Sequence, residues 1–331
     1  MAIGKKVSLS ISANGDAIEI TDLNIGFRVH RSNTFNNNTA DFTISNLSTE
    51  IIDKFLVKGA SVTFKMGWED ERNGELTTIF VGNVLEEVEI ERVGVDRTTR
   101  ITAKSVRHNG SPLGTTKLRL SYPPDALLSS IIYDVATALG FIVDGLPYAK
   151  DIKLPNGFVY MGKASGVMNY IRMMLAGRGL SFYTDLTDFI IYKLEDGQPY
   201  TKVDDETVYL TFQSGLISVG RMERYFEKIH YKKVKKKVNG KIVKENGKSV
   251  TIPVPDESQR EVLPPKHKIR AECLFHPLIR PNCVVEIHTD RIDGTYLVDD
   301  VEIFGDNVDG EFNMTLECGN YNVPEKELQV I

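Results

Sequence analysis

From Val7 to about Ser105, apolar residues recur mostly at every second position, as in VSLSI, FTISNL, VTFKM and RITAKS, with Gly, Asn and Asp between the runs. That is the period of half-buried strands joined by turns. Between residues 122 and 193 the period changes. Leu127, Leu128, Ile131, Ile132, Val135 and Leu139 form a helical stripe that Gly140 ends. The YPPD ahead of it predicts a helix start, with Asp125 at the positive end of the dipole. A second helix is predicted from Ser165 as N-cap through Met168, Ile171, Met174 and Leu175 to the Gly-Arg-Gly at 177–179. Helical spacing accounts for its methionines as core filler. LSFYTDLTDFIIYKL then reads as two short strands around a turn at 185–188. From Val203 the strand period returns in TVYLTF, GLISV, HKIRAECLF, CVVEIH, GTYLVDDVEI and EFNMTLEC. The order is β, then α/β, then β.

Such an order invites a test for repetition. Residues 84–105 lie ungapped over residues 297–318 at an offset of 213, with six identities: Val88/Val301, Glu89/Glu302, Ile90/Ile303, Val95/Val308, Asp96/Asp309 and Thr102/Thr315. About one or two are expected by chance, so the pattern predicts a duplicated β-unit. Upstream the match needs a gap. It sets Val62 over Val284 and leaves GWEDERNGEL as a longer loop in the first copy, where length differences are tolerated.

Composition narrows the classes. The 331 residues, 41% hydrophobic and 26% charged, suffice for one large core or two to three smaller ones. A net charge of −5 argues against a surface that binds nucleic acid throughout. MAIGKKVSLSISANG alternates rather than forming the apolar run of a signal peptide, and the stretch from Leu127 is too interrupted to predict a membrane span. Three cysteines, Cys273, Cys283 and Cys318, fit a reducing compartment better than a disulfide framework.

Several stretches together resemble a known family. They are NTADFTISNLSTEIIDKFLVKGASVTFKMGW, IFVGNVLEEVEIERVGVDRTTRITAKS, the segment ending GRGLSFYTDLTDFIIYKL, and GLISVGRMERYF followed at a distance by FHPLIRPNCVVEIHTDRIDGTYLVDDVEIFGDNVDGEFNMTLEC. In this order they are similar to the baseplate hub proteins of tailed bacteriophages, which are related to the base of type VI secretion spikes. The resemblance implies two tube-like antiparallel β-barrels, residues 1–110 and 203–331, flanking a small α/β domain with two helices at 111–202. It also implies a homotrimer with pseudo-six-fold symmetry, joining a six-fold tail tube or distal tail protein to a three-fold central spike. Tape-measure protein and DNA would pass its channel without sequence-specific binding, and baseplate wedge proteins are further partners. The location implied is the virion tail baseplate, assembled in the host cytoplasm. The segment from about 227 to 265 departs from the pattern as a Lys-rich insertion in the second barrel, and no peptidase or lysozyme-like domain is appended.

The charged motifs take meaning from that frame. Glu87, Glu89 and Glu91 alternate with Val88 and Ile90, and Asp300 and Glu302 with Val301 and Ile303, so one face of each strand is acidic. A solvated barrel exterior needs no more than this. The functional alternative is a channel lining that repels phosphates. Residues 228–248 carry nine lysines against Glu245 alone, among them Lys232, Lys233, Lys235, Lys236, Lys237, Lys241 and Lys244, with turn signals at Asn239-Gly240 and Asn246-Gly247. This predicts a hairpin, either an edge kept soluble by lysine or a dock for an acidic neighbour. DNA ranks third, because aromatic and arginine interleaving is absent beyond Tyr231.

Chemistry finds little support. Cys273, His276, Cys283 and His288 have zinc-like spacing, but separations of three and five along strands put each pair on opposite faces. GDNVDGEF at 305–312 lacks the alternating oxygen ligands of a calcium loop; it reads as a turn, with Gly310 at positive φ and Asp309 bonding its own backbone. No nucleophile elbow, HExxH or phosphate loop occurs, so the expectation is a non-enzyme without metal or cofactor. The competing reading is a β-rich carbohydrate-active protein, for which Trp68, expected in a loop, is the one aromatic platform. A third keeps the fold in a type VI secretion or tailocin-like device.

Overall fold

The computed structural model describes residues 4–33, 38–70, 74–85, 88–93, 96–105, 116–195, 198–199, 207–228, 231–235, 237–238, 241–242, 244–245, 248–249, 251–255, 261–308 and 310–320. Among them no helix is long and apolar enough to cross a membrane. The chain forms two compact units, residues 1–220 with 270–331, and residues 221–269.

The first unit is mainly β. Its longer strands are β1 (Lys5–Ala13), β2 (Asp16–Ile20), β3 (Ile25–Ser32), β4 (Thr39–Ser45), β5 (Ser61–Trp68), β6 (Thr77–Val84), β7 (Glu89–Val93), β8 (Asp96–Lys104), β9 (Lys117–Tyr122), β10 (Ile142–Asp144), β11 (Phe158–Lys163), β12 (Leu180–Asp185), β13 (Asp188–Glu195), β14 (Val208–Leu210), β17 (Val284–His288), β18 (Asp293–Asp306) and β19 (Phe312–Asn320), while β15 (Leu216–Lys228) and β16 (Glu261–Leu274) have residues in both units. The helices are α1 (Thr49–Phe55), α2 (Leu128–Ala138) and α3 (Ala164–Ala176). One sheet joins the first and last thirds in the order β15-β16-β19-β18-β3-β4-β8-β6-β5-β1-β2, with β7 on β8 and β17 linking β14 to β18. The junction is β3 against β18, antiparallel from Gly26↔Asp306 to Ser32↔Asp300.

Alternation decides what this sheet buries. Val29, Phe42, Ile44, Ile101, Val301 and Ile303 are all at most 1% exposed, on one face. Behind them aromatic rings run in contact, Phe80 to Phe42 to Phe64 to Phe27 to Phe312, with centroids 4.9–6.4 Å apart. Trp68 ends this chain. It is the last residue of β5 rather than a loop platform, its ring 4.7 Å from Phe312 and its Nε1 donating to the Phe275 carbonyl at 2.9 Å. Burial of the indole removes the one aromatic that favoured glycan stacking.

Residues 117–195 have an apolar cluster of their own, in which Leu128, Ile131, Ile132 and Val135 of α2 meet Val167, Met168 and Ile171 of α3 and Phe158, Phe182 and Phe189. Both helices start differently from expectation. Asp125 sits at φ +60° in a turn, donating its N–H to the Leu154 carbonyl, and Ala126 and Leu127 still pair with Leu154 and Lys153. The helix therefore begins at Leu128 with no acidic residue in its first turn. Likewise Lys163 is held in β11 opposite Lys117, so it, not Ser165, is the N-cap of α3. The stops are as read, with Gly140 at φ +76° and Gly179 at +66°. Asp185 pairs with Asp188 around the expected turn.

The turn at 305–312 keeps its role with different residues. Asp306 supplies side-chain bonds of its own: its Oδ1 accepts from the N–H of Val308 and of Gly310, both at 2.8 Å. Gly305 has the positive φ, +147°, and a Cβ there would run into the Glu311 carbonyl. Gly310 is small because a Cβ would meet the Asp306 carboxylate. Asp309 lies outside the described residues. Asn307 ties the turn to β3, accepting from the Ile25 N–H and donating to the Leu23 carbonyl.

The duplicated unit is visible as matched hydrogen bonds. Gly59 N donates to Val84 O and Val84 N to Ala60 O; in the last third Asn282 N donates to Val298 O and Val298 N to Cys283 O. Asn46 N donates to Arg97 O as Phe275 N does to Phe312 O, and Ser45 N to Asn24 O as Leu274 N does to Gly215 O. Thus β3 and β4 correspond to β15 and β16, β5 to β17, β6 with β7 to β18, and β8 to β19. The register shifts after Val298, where Val298↔Cys318 is succeeded by Asp300↔Glu317; in the first copy Val84↔Ala103 and Glu89↔Arg100 are the corresponding pairs on either side. The ungapped offset of 213 therefore holds only along β7. Upstream, Ala60 matches Cys283, so Val62 matches Val285 rather than Val284. Beyond the turn the second hairpin is two residues longer, so Thr315 matches Arg100 rather than Thr102. A shift by two preserves which face a side chain occupies, which is why the sequence match survived it.

In the second unit, Tyr231–Lys235 pairs antiparallel with Thr251–Pro255. Lys237–Val238 pairs with Lys241–Ile242, and Lys244–Glu245 with Lys248–Ser249.

Candidate functional site: the polar face of the joined sheet

Opposite the core, the joined sheet shows a polar face that runs across β19, β18, β3, β4, β8 and β7. Register sets its rows. Glu302 lies opposite His30 and Thr315, Arg28 lies between Phe304 and Asp41, and Arg100 lies between Thr43 and Glu89. Glu89 and Glu91 thus share one face of one sheet with Asp300 and Glu302, which lie some two hundred residues further along the chain. Glu87 lies outside the described residues.

The face is not purely acidic, because β3 and β8 place cations among the carboxylates. Arg28 Nη1 reaches Glu302 Oε1 at 2.7 Å while its guanidinium lies over Phe304, and Arg100 Nη2 is 3.4 Å from Glu91 Oε2. His30 Nε2 is 3.6 Å from Asp300 Oδ1, and Thr102 donates to Asp41 at 2.7 Å. Sequence reading saw the acids because they alternate along single strands. It missed their counter-charges because these come from other strands, Arg28 and His30 from one more than 260 residues away and Arg100 from across the 93–96 turn. Each partly exposed pair contributes little to stability, about 0–1 kcal/mol. Together they make a mixed-charge surface with few unbalanced groups.

On the other side of β3, Arg31 turns inward. Its guanidinium makes a two-pronged contact with Asp185, Nε to Oδ1 at 3.1 Å and Nη2 to Oδ2 at 2.5 Å, with both side chains 5% exposed. Asp188 lies across the same turn. Burial raises its carboxyl above the usual range, Asp185 and Asp144 adding to this while the Thr187 hydroxyl and Arg280 oppose it. Nearby, Asn33 Nδ2 donates to Asn282 Oδ1 and Asp299 Oδ1. This polar contact fastens the helical segment to the sheet, and nothing in the sequence pattern announced it.

The remaining candidates disperse. Cys273 and Cys283 are buried, and burial pushes the Cys273 thiol up to about 12. His288 is exposed between Asp293 at 2.6 Å and Glu286 at 3.4 Å, and the Asp293 hydrogen bond raises its pKa. Among the described residues no group of three or more His, Cys, Asp or Glu could hold a metal ion. Lys232, Lys233 and Lys235 lie on Tyr231–Lys235, and Lys237, Lys241 and Lys244 on the short paired strands of the second unit. Lys236 lies outside the described residues.

No protein-family model matches the sequence, and no curated protein matches it. Solved structures do. A tail protein of Neisseria meningitidis superposes with a TM-score of 0.59 at 10% identity, covering 96% of this chain and 98% of its own. The 43 kDa tail protein of prophage MuSo2 from Shewanella oneidensis gives 0.56 at 9% identity, covering 95% and 98%. The chain has the tail-protein fold. An Escherichia coli component of the type VI secretion system, described as structurally similar to bacteriophage T4 tail proteins, gives 0.55 at 10% identity over 95% of this chain and 77% of its own. The tail-protein fold thus spans almost the whole chain, in agreement with the resemblance expected from its sequence.

Proposed function

We propose that the chain is the structural hub of a phage-tail baseplate, acting through shape and symmetry rather than catalysis. It forms a homotrimer in which two tube-like barrels per chain, flanking the α/β segment, generate six similar β-units around a channel. The observation that carries this reading is the duplicated β-unit joined edge to edge within one sheet, since a ring of quasi-equivalent units needs repeated surfaces that meet in a repeated way. The six-fold tail tube or distal tail protein seats on one side and the three-fold spike on the other, with wedge proteins outside. The polar face lines the channel. Its paired charges offer neither a continuous cationic track for phosphates nor an apolar surface for an unfolded polypeptide, so DNA and tape-measure protein slide past. The Lys-rich second unit docks on an acidic neighbour. Assembly takes place in the bacterial cytoplasm, and the finished location is the virion baseplate.

A second reading keeps this architecture in a type VI secretion or tailocin-like device, which the likeness to the Escherichia coli component favours. Averaged electron micrographs of the protein with its spike partner test both. A three-fold ring with six similar lobes and a central channel is expected. A compact monomer that persists with the spike present would sink the hub reading in either device.

A further inference from the structure

The joined sheet ends at β15 on one side and at β2 on the other, and β7 branches from it beside β6. Strand β7 pairs with β8 on one side only, β15 is the terminal strand beyond β16, and among the described residues neither has a partner on its outer edge. Open edges with exposed apolar side chains are templates for pairing with another chain. Ile90 on β7 is 53% exposed and Ile217 on β15 is 44% exposed.

The duplication identifies what belongs there. Strand β7 corresponds to β18 and β15 to β3, and β18 and β3 are the strands that pair at the junction within the chain. Ile303, the counterpart of Ile90, is 0% exposed, with β3 alongside it. Ile90 has the same position in its unit without the neighbouring strand. We infer that β7 of one copy pairs antiparallel with β15 of the next, repeating the in-chain junction between copies. The matched hydrogen bonds set the register. Gly26, Arg28 and His30 correspond to Ile217, Val219 and Arg221, while Glu302 and Phe304 correspond to Glu89 and Glu91. Transferring the pairs Glu302↔His30 and Phe304↔Arg28 places Glu89 opposite Arg221 and Glu91 opposite Val219. An acid and a base thus meet where the in-chain junction has Glu302 beside His30 and Arg28. Because the two edges differ, the contact is head to tail, and it closes into a ring when the rotation per copy allows.

This inference rests on the proposed trimer and adds the strands and register that make it. The test uses the full chain carrying Glu91→Cys with Val219→Cys. Opposed residues of an antiparallel pair lie within disulfide range, about 4.5–5.5 Å between Cα atoms. The three native cysteines are buried. Oxidation, or a short bis-thiol reagent, is expected to give covalent dimers and trimers on a denaturing gel. The out-of-register pair Glu89→Cys with Ile217→Cys is expected to stay near background. Glu89→Arg is expected to weaken the trimer about tenfold, and adding Arg221→Glu to restore it. A native trimer by mass spectrometry in which the in-register pair fails to cross-link would overturn the pairing while leaving the hub reading standing. A chain that stays monomeric at every concentration overturns both.

Discussion

A single arginine shows how much of the molecule depends on one residue facing inward. Arg31 continues the alternation of β3 onto its buried side, where a charge is tolerated only because Asp185 meets it with two hydrogen bonds. Asp185→Ala strands the guanidinium and is expected to cost about 3–5 kcal/mol in urea unfolding, whereas the double change Arg31→Met with Asp185→Leu is expected to recover most of the loss. Recovery by the double variant would assign the pair to orientation rather than net stability. Asp188 adds a pH signature. A carboxyl raised in the folded state binds its proton more tightly there than in the unfolded chain, so its contribution falls as pH rises from the unfolded value through the folded one. Asp188→Asn is therefore expected to raise the melting temperature at pH 7 more than at pH 3. None of this was legible in the sequence, where Arg31 looks like any strand arginine and its partner stands 154 residues away.

At the scale of elements, the repeat gives matched positions that differ only in their neighbours. Ile303→Ala opens a cavity in a fully buried site and is expected to cost about 2–5 kcal/mol. The same change at Ile90 is expected to stay within about 0.5 kcal/mol in the dissociated chain, where the side chain is half exposed. In the assembled state Ile90→Ala is expected to become costly, and comparing denaturation at low and high protein concentration separates the two effects. Equal costs at both sites in the dilute chain would mean that β7 is covered within its own chain. The strands were legible because period-two alternation follows directly from one-sided burial, and the repeat because Glu89 and Ile90 match Glu302 and Ile303 in both sequence and register. Helix starts were not. A preceding strand pair, Ala126↔Leu154 in one case and Lys163↔Lys117 in the other, overrode the capping residues. The union of first and last thirds through β3 and β18 was equally hidden, since edge pairing depends on backbone position and leaves no trace in composition.

For the whole molecule the charge is distributed rather than merely net negative. Residues 228–248 carry nine lysines and one glutamate, which leaves the rest of the chain thirteen charges negative. The polar face keeps its own carboxylates matched to cations, so the lysines are not needed there. Exposed charges act through screened fields about 8 Å in reach at physiological salt, steering encounter more than holding the complex. Replacing Lys232, Lys233, Lys235, Lys236, Lys237, Lys241 and Lys244 by serine is therefore expected to leave the proposed trimer's subunit number, read by native mass spectrometry, unchanged. The same variant is expected to slow its incorporation into tails, measured as the fraction of hub retained in purified particles, and to remove the salt dependence of that incorporation. If the variant trimer falls apart, the lysines belong to the ring contact itself. If incorporation is unaffected at low salt, they serve only to keep an edge ribbon soluble.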